Sequence, residues 1–354
     1  MYNRGGSLFA ASFDLARGEV VGPAVPVLQD VSAFTVSANG TAVYRAAAAT
    51  PAMGLFLVDG GKSVQTLAVA GGVRSVRLSP DGRRVAYGGG WNGGGIAVYD
   101  LTLGTHVRVL PDGWNGCDPF WTLDGRSVAF HSSRPGVTLL FAGFVVPADG
   151  GEPRELFNDA NVVAPQSWLP DGRLLARGNP PRPGSRGSDL FVLEFSGDSA
   201  AVTPYLRADW DESNAHASPD GRWIAFRSDE TGRQEVYVRP FPDAGAGKWQ
   251  ISENGGNDPT WSRDGNTVFY WEGQQLRAAR LRTRPAFAVV SRETVLTDSL
   301  YAPSCCFPNY DVYPDGRRFL IARRAPAQAD APNEIVIVVN WFEELKARMA
   351  NTPR

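Results

Sequence analysis

Two aspartates occur in matching settings far apart in the chain: Asp118 and Asp258 each precede a proline and lie three residues before a tryptophan. Four further polar residues hold comparable positions, namely Asn214, His216, Asn309 and Asp311. Carboxylate and amide oxygens bind hard cations such as Ca²⁺, and two aspartates with a histidine could activate water beside a divalent ion. The structural alternative is that these side chains only cap the starts of strands, and we consider it the simpler explanation.

The motifs that mark common catalytic centres are missing from the sequence. The histidines His106, His131 and His216 are far apart, and neither H-x-H nor H-E-x-x-H occurs, so a catalytic zinc site is not supported. No G-x-S-x-G marks a hydrolase nucleophile, and the glycine-rich loop, catalytic loop and Asp-Phe-Gly motif of protein kinases do not occur. We therefore predict that the chain is not an enzyme and has no catalytic residue, metal ligand or cofactor, with a channel-bound calcium ion left open.

A turn signature that recurs seven times predicts the elements that must position these residues. It reads Ser-Pro-Asp-Gly or a variant of it, and its third position is occupied by Asn39, Asp81, Asp124, Asp171, Asp220, Asp264 and Asp315. Successive copies are 42 to 51 residues apart. This spacing is close to the period of about 40–45 residues of a four-stranded propeller blade, and it is longer than a helical repeat.

Each copy of the signature has the chemistry of a β-hairpin. Proline sets φ at the second turn position, glycine accepts a positive φ at the fourth, and apolar residues alternate with polar ones in the flanks. A single blade cannot bury both of its faces, so blades stack radially into a ring. We predict an all-β propeller of seven four-stranded blades, with six or eight as alternatives, in which the repeated aspartates serve the turns.

The two ends of the chain predict how the ring closes. Residues Leu8–Leu28 align without a gap on Leu276–Leu296 and therefore correspond to the outer half of a blade. The last unit, Tyr310–Trp341, lacks an obvious fourth strand. We expect the strands of residues 1–31 to complete this last blade and close the ring.

The predicted domain organisation follows from this closure. Residues 1–31 are a half-blade, residues 32–345 form the propeller, and residues 346–354 are a tail. Trp341, Leu345 and Met349 are spaced four residues apart and predict a short helix that packs on the last blade.

One face of the predicted propeller carries long and varied loops, and loops on a rigid scaffold are frequent binding sites. The aromatic and amide residues in or beside these loops are Trp91, Asn92, Trp114, Trp210 and Trp271. Together with the polar residues at the strand entrances, they form the predicted ligand-binding face. The alternative is that the tryptophans seal the junctions between blades, since tryptophan is mostly buried in proteins.

Composition excludes several classes of partner. The net charge is −2 and the pI is about 6.0, so no basic surface for nucleic acid is indicated. No apolar run approaches the roughly 18 residues of a membrane span, and the first residues lack the apolar core of a secretory signal. By itself the chain is therefore expected to be cytoplasmic and not inserted in a membrane. The adjacent Cys305 and Cys306 are expected to be free thiols, with a strained disulfide as the alternative.

Seven segments carry a resemblance to a known family. They are Phe13–Leu15, Gly22–Val27, Glu235–Pro242, Lys248–Ser252, Trp261–Gly265, Tyr310–Leu320 and Val339–Leu345. On these segments the chain resembles the TolB-like, WD-repeat-like propellers of bacteria, and more closely the C-terminal propeller region of bacterial membrane-anchored serine/threonine protein kinases. The resemblance implies a sensor or interaction module whose kinase domain is encoded upstream, and an extracytoplasmic location in that case.

The sequence thus favours a non-catalytic propeller that binds a peptide, protein or glycan on its long-loop face. The alternative from a different class is a metal-dependent hydrolase or lyase at the channel mouth, with Asp118, Asp258 and His216 around a divalent ion.

Overall fold

The computed structural model describes residues 1–4, 7–28, 31–46, 53–60, 62–67, 69, 72–89, 95–133, 141–159, 161–179, 187–197, 199–302, 308–325 and 335–350. The regular secondary structure of these residues is almost entirely β-strand, with one α-helix near the end of the chain. They form two compact units: a terminal unit of Met1–Ala52 with Pro326–Arg354, and a ring unit of Met53–Ala325.

The described part of the terminal unit contains two three-stranded sheets and the helix. The strands are β1 (Tyr2–Arg4), β2 (Ser7–Asp14), β3 (Glu19–Leu28), β4 (Val31–Val36), β5 (Ala42–Ala46) and β30 (Ile335–Val338), and the helix is α1 (Trp341–Ala350). The sheets have the orders β1-β2-β3 and β30-β5-β4. Leu8, Ala10, Val27 and Trp341 share their core. The predicted helix is present, but its Trp341 packs in this core of the terminal unit, whereas the sequence predicted packing on the last blade.

The described part of the ring unit contains six four-stranded antiparallel sheets. Sheet 1 has β8 (Ser75–Leu78), β9 (Arg84–Gly88), β10 (Ile96–Asp100) and β11 (Thr105–Arg108); sheet 2 has β12 (Asn115–Trp121), β13 (Ser127–Ser133), β14 (Phe141–Pro147) and β15 (Arg154–Phe157); sheet 3 has β16 (Val162–Trp168), β17 (Leu174–Gly178), β18 (Asp189–Ser196) and β19 (Ser199–Leu206). Sheet 4 has β20 (Ser213–Ala217), β21 (Trp223–Ser228), β22 (Glu235–Pro240) and β23 (Trp249–Gln250); sheet 5 has β24 (Asn257–Trp261), β25 (Thr267–Glu272), β26 (Gln275–Arg282) and β27 (Ala288–Thr297); sheet 6 has β28 (Tyr310–Val312), β29 (Arg318–Arg324), β6 (Met53–Asp59) and β7 (Lys62–Leu67).

The six sheets stack as the blades of a propeller. The innermost strands, β8, β12, β16, β20, β24 and β28, contact one another in this order, and β28 also contacts β8. An apolar cluster lies between each pair of adjacent sheets, so every sheet buries both faces against its neighbours. The predicted all-β propeller is confirmed; the number of seven blades is not, and the ring unit closes with six sheets in its described part.

The repeated turns join the first and second strands of the sheets, as the sequence predicts. In sheet 1, the hydroxyl of Ser79 donates to Asp81 Oδ1 at 2.5 Å, and the backbone N–H of Arg83 donates to the same oxygen at 3.0 Å. Gly82 has a φ of 71°, which an L-residue adopts only with strain. The aspartate of the signature therefore holds the turn together.

The strands that complete the last sheet differ from the prediction. β28 and β29 are joined by β6 and β7 and not by residues 1–31. Phe319 pairs with Val58 and Ile321 with Phe56, and all four side chains enter the apolar cluster between sheets 5 and 6. Their burial against this cluster explains why β6 is the partner of β29.

Residues 1–28 and the predicted last strand of the ring belong instead to the terminal unit. β2 pairs with β1 and β3, and Ile335–Val338 of β30 pairs with β5. The division into units therefore differs from the predicted boundaries after residues 31 and 345. Cys305 and Cys306 lie outside the described residues. No helix in the described part of the chain is long and apolar enough to cross a membrane.

Candidate functional site

Three of the predicted site residues occupy equivalent β-bulges at the entrances of inner strands. Asp118, Asn214 and Asp258 have φ angles of 51°, 53° and 52°. In each case the pairing with the second strand shifts register at this point. Aspartate and asparagine tolerate this left-handed conformation better than other L-residues do, and a bulge redirects its side chain. The bulges thus turn three polar side chains toward the same end of the ring channel.

A small cavity lies between these bulges. It has a volume of ≈ 20 Å³, which is enough for one water-sized group and far too small for a sugar ring or an amino-acid residue. Its polar lining consists of Arg77, Asp118, Gln166, Asn214, Asp258 and Thr260. Prolines from several inner strands complete the wall, namely Pro119, Pro165, Pro259 and Pro308. We refer to this cavity and its lining as the channel-end site.

Asp118 is buried in the channel-end site without hydrogen bonds. Its side chain is 5% exposed, and neither carboxylate oxygen has a hydrogen-bond partner among the described residues. Nδ1 of His131 lies 3.4 Å from Oδ2. Burial raises the pKa of the Asp118 carboxyl well above its usual range, while the charges of Arg177 and Arg77 act in the opposite direction. Burial therefore favours the protonated, neutral form of this side chain.

His131 does not supply a positive charge to this carboxyl group. Burial lowers the pKa of His131 to about 3, and the charge of Arg177 adds to that effect. The imidazole beside Asp118 is thus neutral at physiological pH.

Asp258 has the partners that Asp118 lacks. The amide of Asn214 donates to its Oδ1, and the hydroxyl of Tyr301 donates to its Oδ2 at 3.3 Å. The same hydroxyl lies 2.9 Å from Asn309 Oδ1, so its single proton is shared between the two acceptors. The ring of Tyr301 stacks on Trp271 with a centroid distance of 3.6 Å. Burial raises the pKa of Asp258 to about 6, and Arg227 and Arg77 oppose the shift. At neutral pH, Asp258 is the ionised member of the pair.

Four predicted site residues are structural. Trp271 is 1% exposed and supports Tyr301, so its place on an accessible ligand face is wrong. Asn309 is bound to Tyr301 and donates to the carbonyl of Ala302 at 2.8 Å. Asp311 accepts the backbone N–H groups of Leu78 and Val312, each at 2.8 Å. His216 Nδ1 accepts the backbone N–H of Trp261 at 3.2 Å, and His216 does not line the channel-end site.

The remaining predicted tryptophans differ in their packing and exposure. Trp114 packs edge-on against Phe130 and Phe144 at a junction between sheets. Trp210 is 47% exposed. Trp91 and Asn92 lie outside the described residues. Of the predicted tryptophans that the structure describes, Trp210 is the one whose exposure suits a ligand.

Beside Trp210, the crossing from sheet 3 to sheet 4 holds a half-buried aspartate, Asp211, and a buried glutamate, Glu212. Asp211 accepts from Arg227 Nη2 at 2.9 Å and from the backbone of Ser188 at 3.1 Å. Glu212 is 2% exposed, and burial raises its pKa to about 8, with nearby carboxylates adding to the shift. These contacts hold the crossing that carries Trp210.

Sequence reasoning missed Arg77, Gln166 and Tyr301. Arg77 stands two residues before the first turn residue of sheet 1, the position that His216 holds in sheet 4, so aligning the repeats by their turns would have placed it at the channel. Gln166 follows Pro165 on β16, the innermost strand of sheet 3. No sequence signal marks Tyr301, which lies 43 residues beyond the Asp258 that it contacts.

Comparisons with known proteins bear on these observations. No protein-family model matches the chain. A curated relative from Bacillus subtilis (strain 168), the uncharacterized peptidase YuxL, is 30% identical over 107 residues, which are 28% of this chain. The chain spans 16% of the length of that relative.

Among solved structures, the putative TolB from Agrobacterium tumefaciens superposes with a TM-score of 0.60 at 18% identity, over 78% of this chain and 99% of that one. An oligogalacturonate lyase in complex with manganese gives a TM-score of 0.51 at 12% identity, over 83% of this chain and 96% of that one. The corresponding lyase from Vibrio parahaemolyticus gives 0.50 at 11% identity, over 82% of this chain and 96% of that one. At such identities the structural likeness establishes the fold.

These findings correct one prediction and leave another without support. The prediction that the chain is not an enzyme is contradicted by its similarity to a peptidase. A motif search detects only residues at a fixed spacing in the sequence. Residues that meet in a propeller channel come from separate blades and have no such fixed spacing. The comparisons do not show the predicted link to kinase propellers. The fold of the chain is a β-propeller, as in the putative TolB from Agrobacterium tumefaciens.

Proposed function

We propose that the channel-end site binds one polar group of a peptide, and that the ring unit thereby selects or presents this peptide for a peptidase-type reaction. The observation that carries the proposal is the Asp118 carboxyl group, which is buried without a hydrogen bond in the described structure. Such a group costs free energy unless a partner satisfies it, and peptides offer N–H and ammonium donors.

The size and surroundings of the site favour a peptide over a glycan. The cavity of ≈ 20 Å³ admits one small group, so a sugar ring cannot enter. The rest of the ligand would lie on the loop face, where Trp210 is exposed. The similarity to a peptidase, although it covers 28% of this chain, favours the same class of ligand.

The metal-dependent alternative has weaker support. The described residues contain no group of three or more His, Cys, Asp or Glu side chains that could hold a metal ion. His216, the third residue of the metal site considered in this alternative, accepts a hydrogen bond from the backbone N–H of Trp261. A sensor role beside a kinase domain rests only on the sequence resemblance, and we do not propose it.

The test is a selection from a random peptide library displayed on phage, run on the wild-type protein and on the Asp118→Asn/Asp258→Asn variant. Asparagine fits both bulges, because Asn214 adopts the same φ at the equivalent position. We expect peptides that bind the wild-type protein and lose at least about tenfold in affinity on the variant, since charge-assisted hydrogen bonds are removed.

Asp124→Asn is the matched control, because Asp124 lies in the turn at the other end of β12. Selected peptides should bind this variant as they bind the wild-type protein. Incubating them with the protein and following cleavage by mass spectrometry tests the peptidase part. Selected peptides that bind the double variant unchanged would overturn the assignment of the site.

A further inference from the structure

The volume of the channel-end site limits the chemistry of the bound group. A space of ≈ 20 Å³ holds one water-sized group. A primary ammonium has this size and is a compact point charge with three donors, whereas a guanidinium is a planar fork that needs more room. A peptide could therefore place an ammonium in the cavity, but not an arginine side chain.

The charges of the lining favour a cation. Among the residues that line the cavity, Asp118, Asp258 and Arg77 together carry one negative charge when both carboxylates are ionised. Arg177 and Arg227 act on the two carboxyl groups from outside this lining. The guanidinium of Arg77 is held by the carbonyl of Tyr310 at 3.2 Å, which fixes its position at the wall. A bound cation would neutralise the site, and buried charges are tolerated when they are paired and hydrogen-bonded.

The hydrogen bonds determine which carboxylate receives the ligand. Asp258 already accepts from Asn214 and Tyr301. Both oxygens of Asp118 lack such bonds among the described residues, so an incoming N–H donor finds its acceptors there. In the unliganded protein, burial disfavours the charged form of the Asp118 carboxyl group.

We propose that the channel-end site binds a single primary ammonium group, which ion-pairs with Asp118 and releases one proton from that side chain to solvent. This inference rests on the proposed function and specifies the group that the site recognises. In the exchange, the O–H bond of the Asp118 carboxylic acid breaks, its proton enters solvent, and the carboxylate accepts N–H bonds from the ammonium. One positive charge enters the site as another leaves it.

The groups around Asp118 are compatible with this exchange. They are His131 on β13, Cys117 beside it on β12, Arg77 on β8, Arg177 on β17 and Asp258 on β24. His131 stays neutral, and burial raises the pKa of the Cys117 thiol to about 12. Asp118 is therefore the group whose ionisation ligand binding should promote, and ligand affinity should rise as the pH rises toward the folded pKa of Asp118.

Isothermal titration calorimetry tests the proposal with three probes: N-acetyl-lysine methylamide, alanine methylamide and N-acetyl-arginine methylamide. Titrations at pH 6 and 7, where both amines are largely protonated, in buffers with small and large ionisation enthalpies, report the released proton. We expect at least one of the two amines to bind with release of about one proton and to exceed the arginine probe at least about tenfold. The lysine and alanine probes distinguish a side-chain amine from a chain terminus.

Asp118→Asn should abolish this binding, and Asp124→Asn should retain it. Because a variant could unfold, the ¹³Cγ NMR signal of Asp118 in the wild-type protein gives a second measurement, and the amine should shift this signal to its ionised position. Equal binding of the arginine probe, binding without proton release, or no binding of either amine would overturn the inference. If the phage selection yields Asp118-dependent peptides that lack amines, the proposed function stands and only this inference fails.

Discussion

Aspartates at the two ends of the same inner strand have opposite properties. Asp124, in the turn after β12, accepts the Thr122 hydroxyl at 2.6 Å and the backbone N–H of Arg126 at 3.0 Å, and these bonds lower its pKa. Asp118, in the bulge near the start of β12, has no hydrogen bond among the described residues, and burial raises its pKa. Six residues thus separate a satisfied, exposed carboxylate from an unsatisfied, buried one.

The contrast teaches that the supply of donors, and not the residue type, decides what a repeated aspartate can do. The carboxylates in the turns accept hydrogen bonds from groups of their own hairpin. Bulge carboxylates face a channel where donors come from distant segments, as Tyr301 does for Asp258. A carboxylate that receives no such donor can still accept hydrogen bonds from a ligand.

The largest effect on stability is expected from removing Trp271, whose ring supports the Tyr301 that contacts Asp258. Trp271→Ala should destabilise the protein by about 3–5 kcal/mol, because a fully buried indole is lost. It should also release Tyr301 and thus make Asp258 resemble Asp118, which raises the pKa of Asp258. Chemical denaturation and ¹³C NMR of the Asp258 carboxyl measure the two effects. Trp271→Phe, which keeps a ring beneath Tyr301, is the control and should preserve most of the pKa difference.

The next effect concerns the pH dependence of stability. Burial raises the pKa of Asp118 in the folded protein. The contribution of this carboxyl group to stability is therefore complete below pH 3.8 and is lost as the pH rises through its folded pKa. Asp118→Asn should therefore stabilise the protein at pH 8 and have little effect at pH 4. Thermal unfolding across this range measures it.

The matched turn variant should show the opposite sign. The lowered pKa of Asp124 contributes stability above its unfolded pKa, and this contribution is lost on acidification. Asp124→Asn should lower the melting temperature slightly at pH 7 and leave it unchanged in strong acid. Equal pH profiles for the two variants would contradict the contrast between the strand ends.

A smaller effect is expected in the turns themselves. Gly221 has a φ of 68°, and a Cβ there would lie 3.0 Å from Pro170 Cδ. Gly221→Ala should cost about 1–2 kcal/mol, which is the strain of a left-handed L-residue. Urea denaturation measures this cost, and Gly232→Ala, at a φ of 83° with open space around it, is the control for backbone strain alone.

The smallest effect on stability is expected at Trp210. Its ring is 47% exposed, so Trp210→Ala should change the free energy of unfolding by less than about 0.5 kcal/mol. If the ligand crosses the loop face, the same variant should weaken the binding of selected peptides. Unchanged peptide affinity would confine the ligand to the channel-end site.

Local chemistry made much of the fold predictable. The turn signature requires a hairpin wherever it occurs, because proline, aspartate and glycine satisfy one backbone geometry within four residues. The helix from Trp341 follows from apolar residues spaced four apart. The two Asp-Pro pairs were identified as channel residues, but the sequence did not reveal that Asp258 is satisfied and Asp118 is not.

Ring closure could not be predicted in the same way. β6 and the strands of residues 1–28 both have the composition of outer blade strands, so either could pair with β29 on local grounds. The choice depends on the apolar cluster that Phe56 and Val58 enter beside Phe319 and Ile321. Contacts between segments more than 250 residues apart are not encoded in any local pattern.

The sequence by itself determined the all-β class, the repeated hairpins and the positions of the polar strand entrances, because these depend on neighbouring residues. The tertiary structure decided which strands close the ring, which tryptophans are buried and which carboxylate lacks a donor. These properties depend on burial and on hydrogen bonds between distant segments. They exist only once the sheets have packed, and they separate Asp118 from the other aspartates of the repeat.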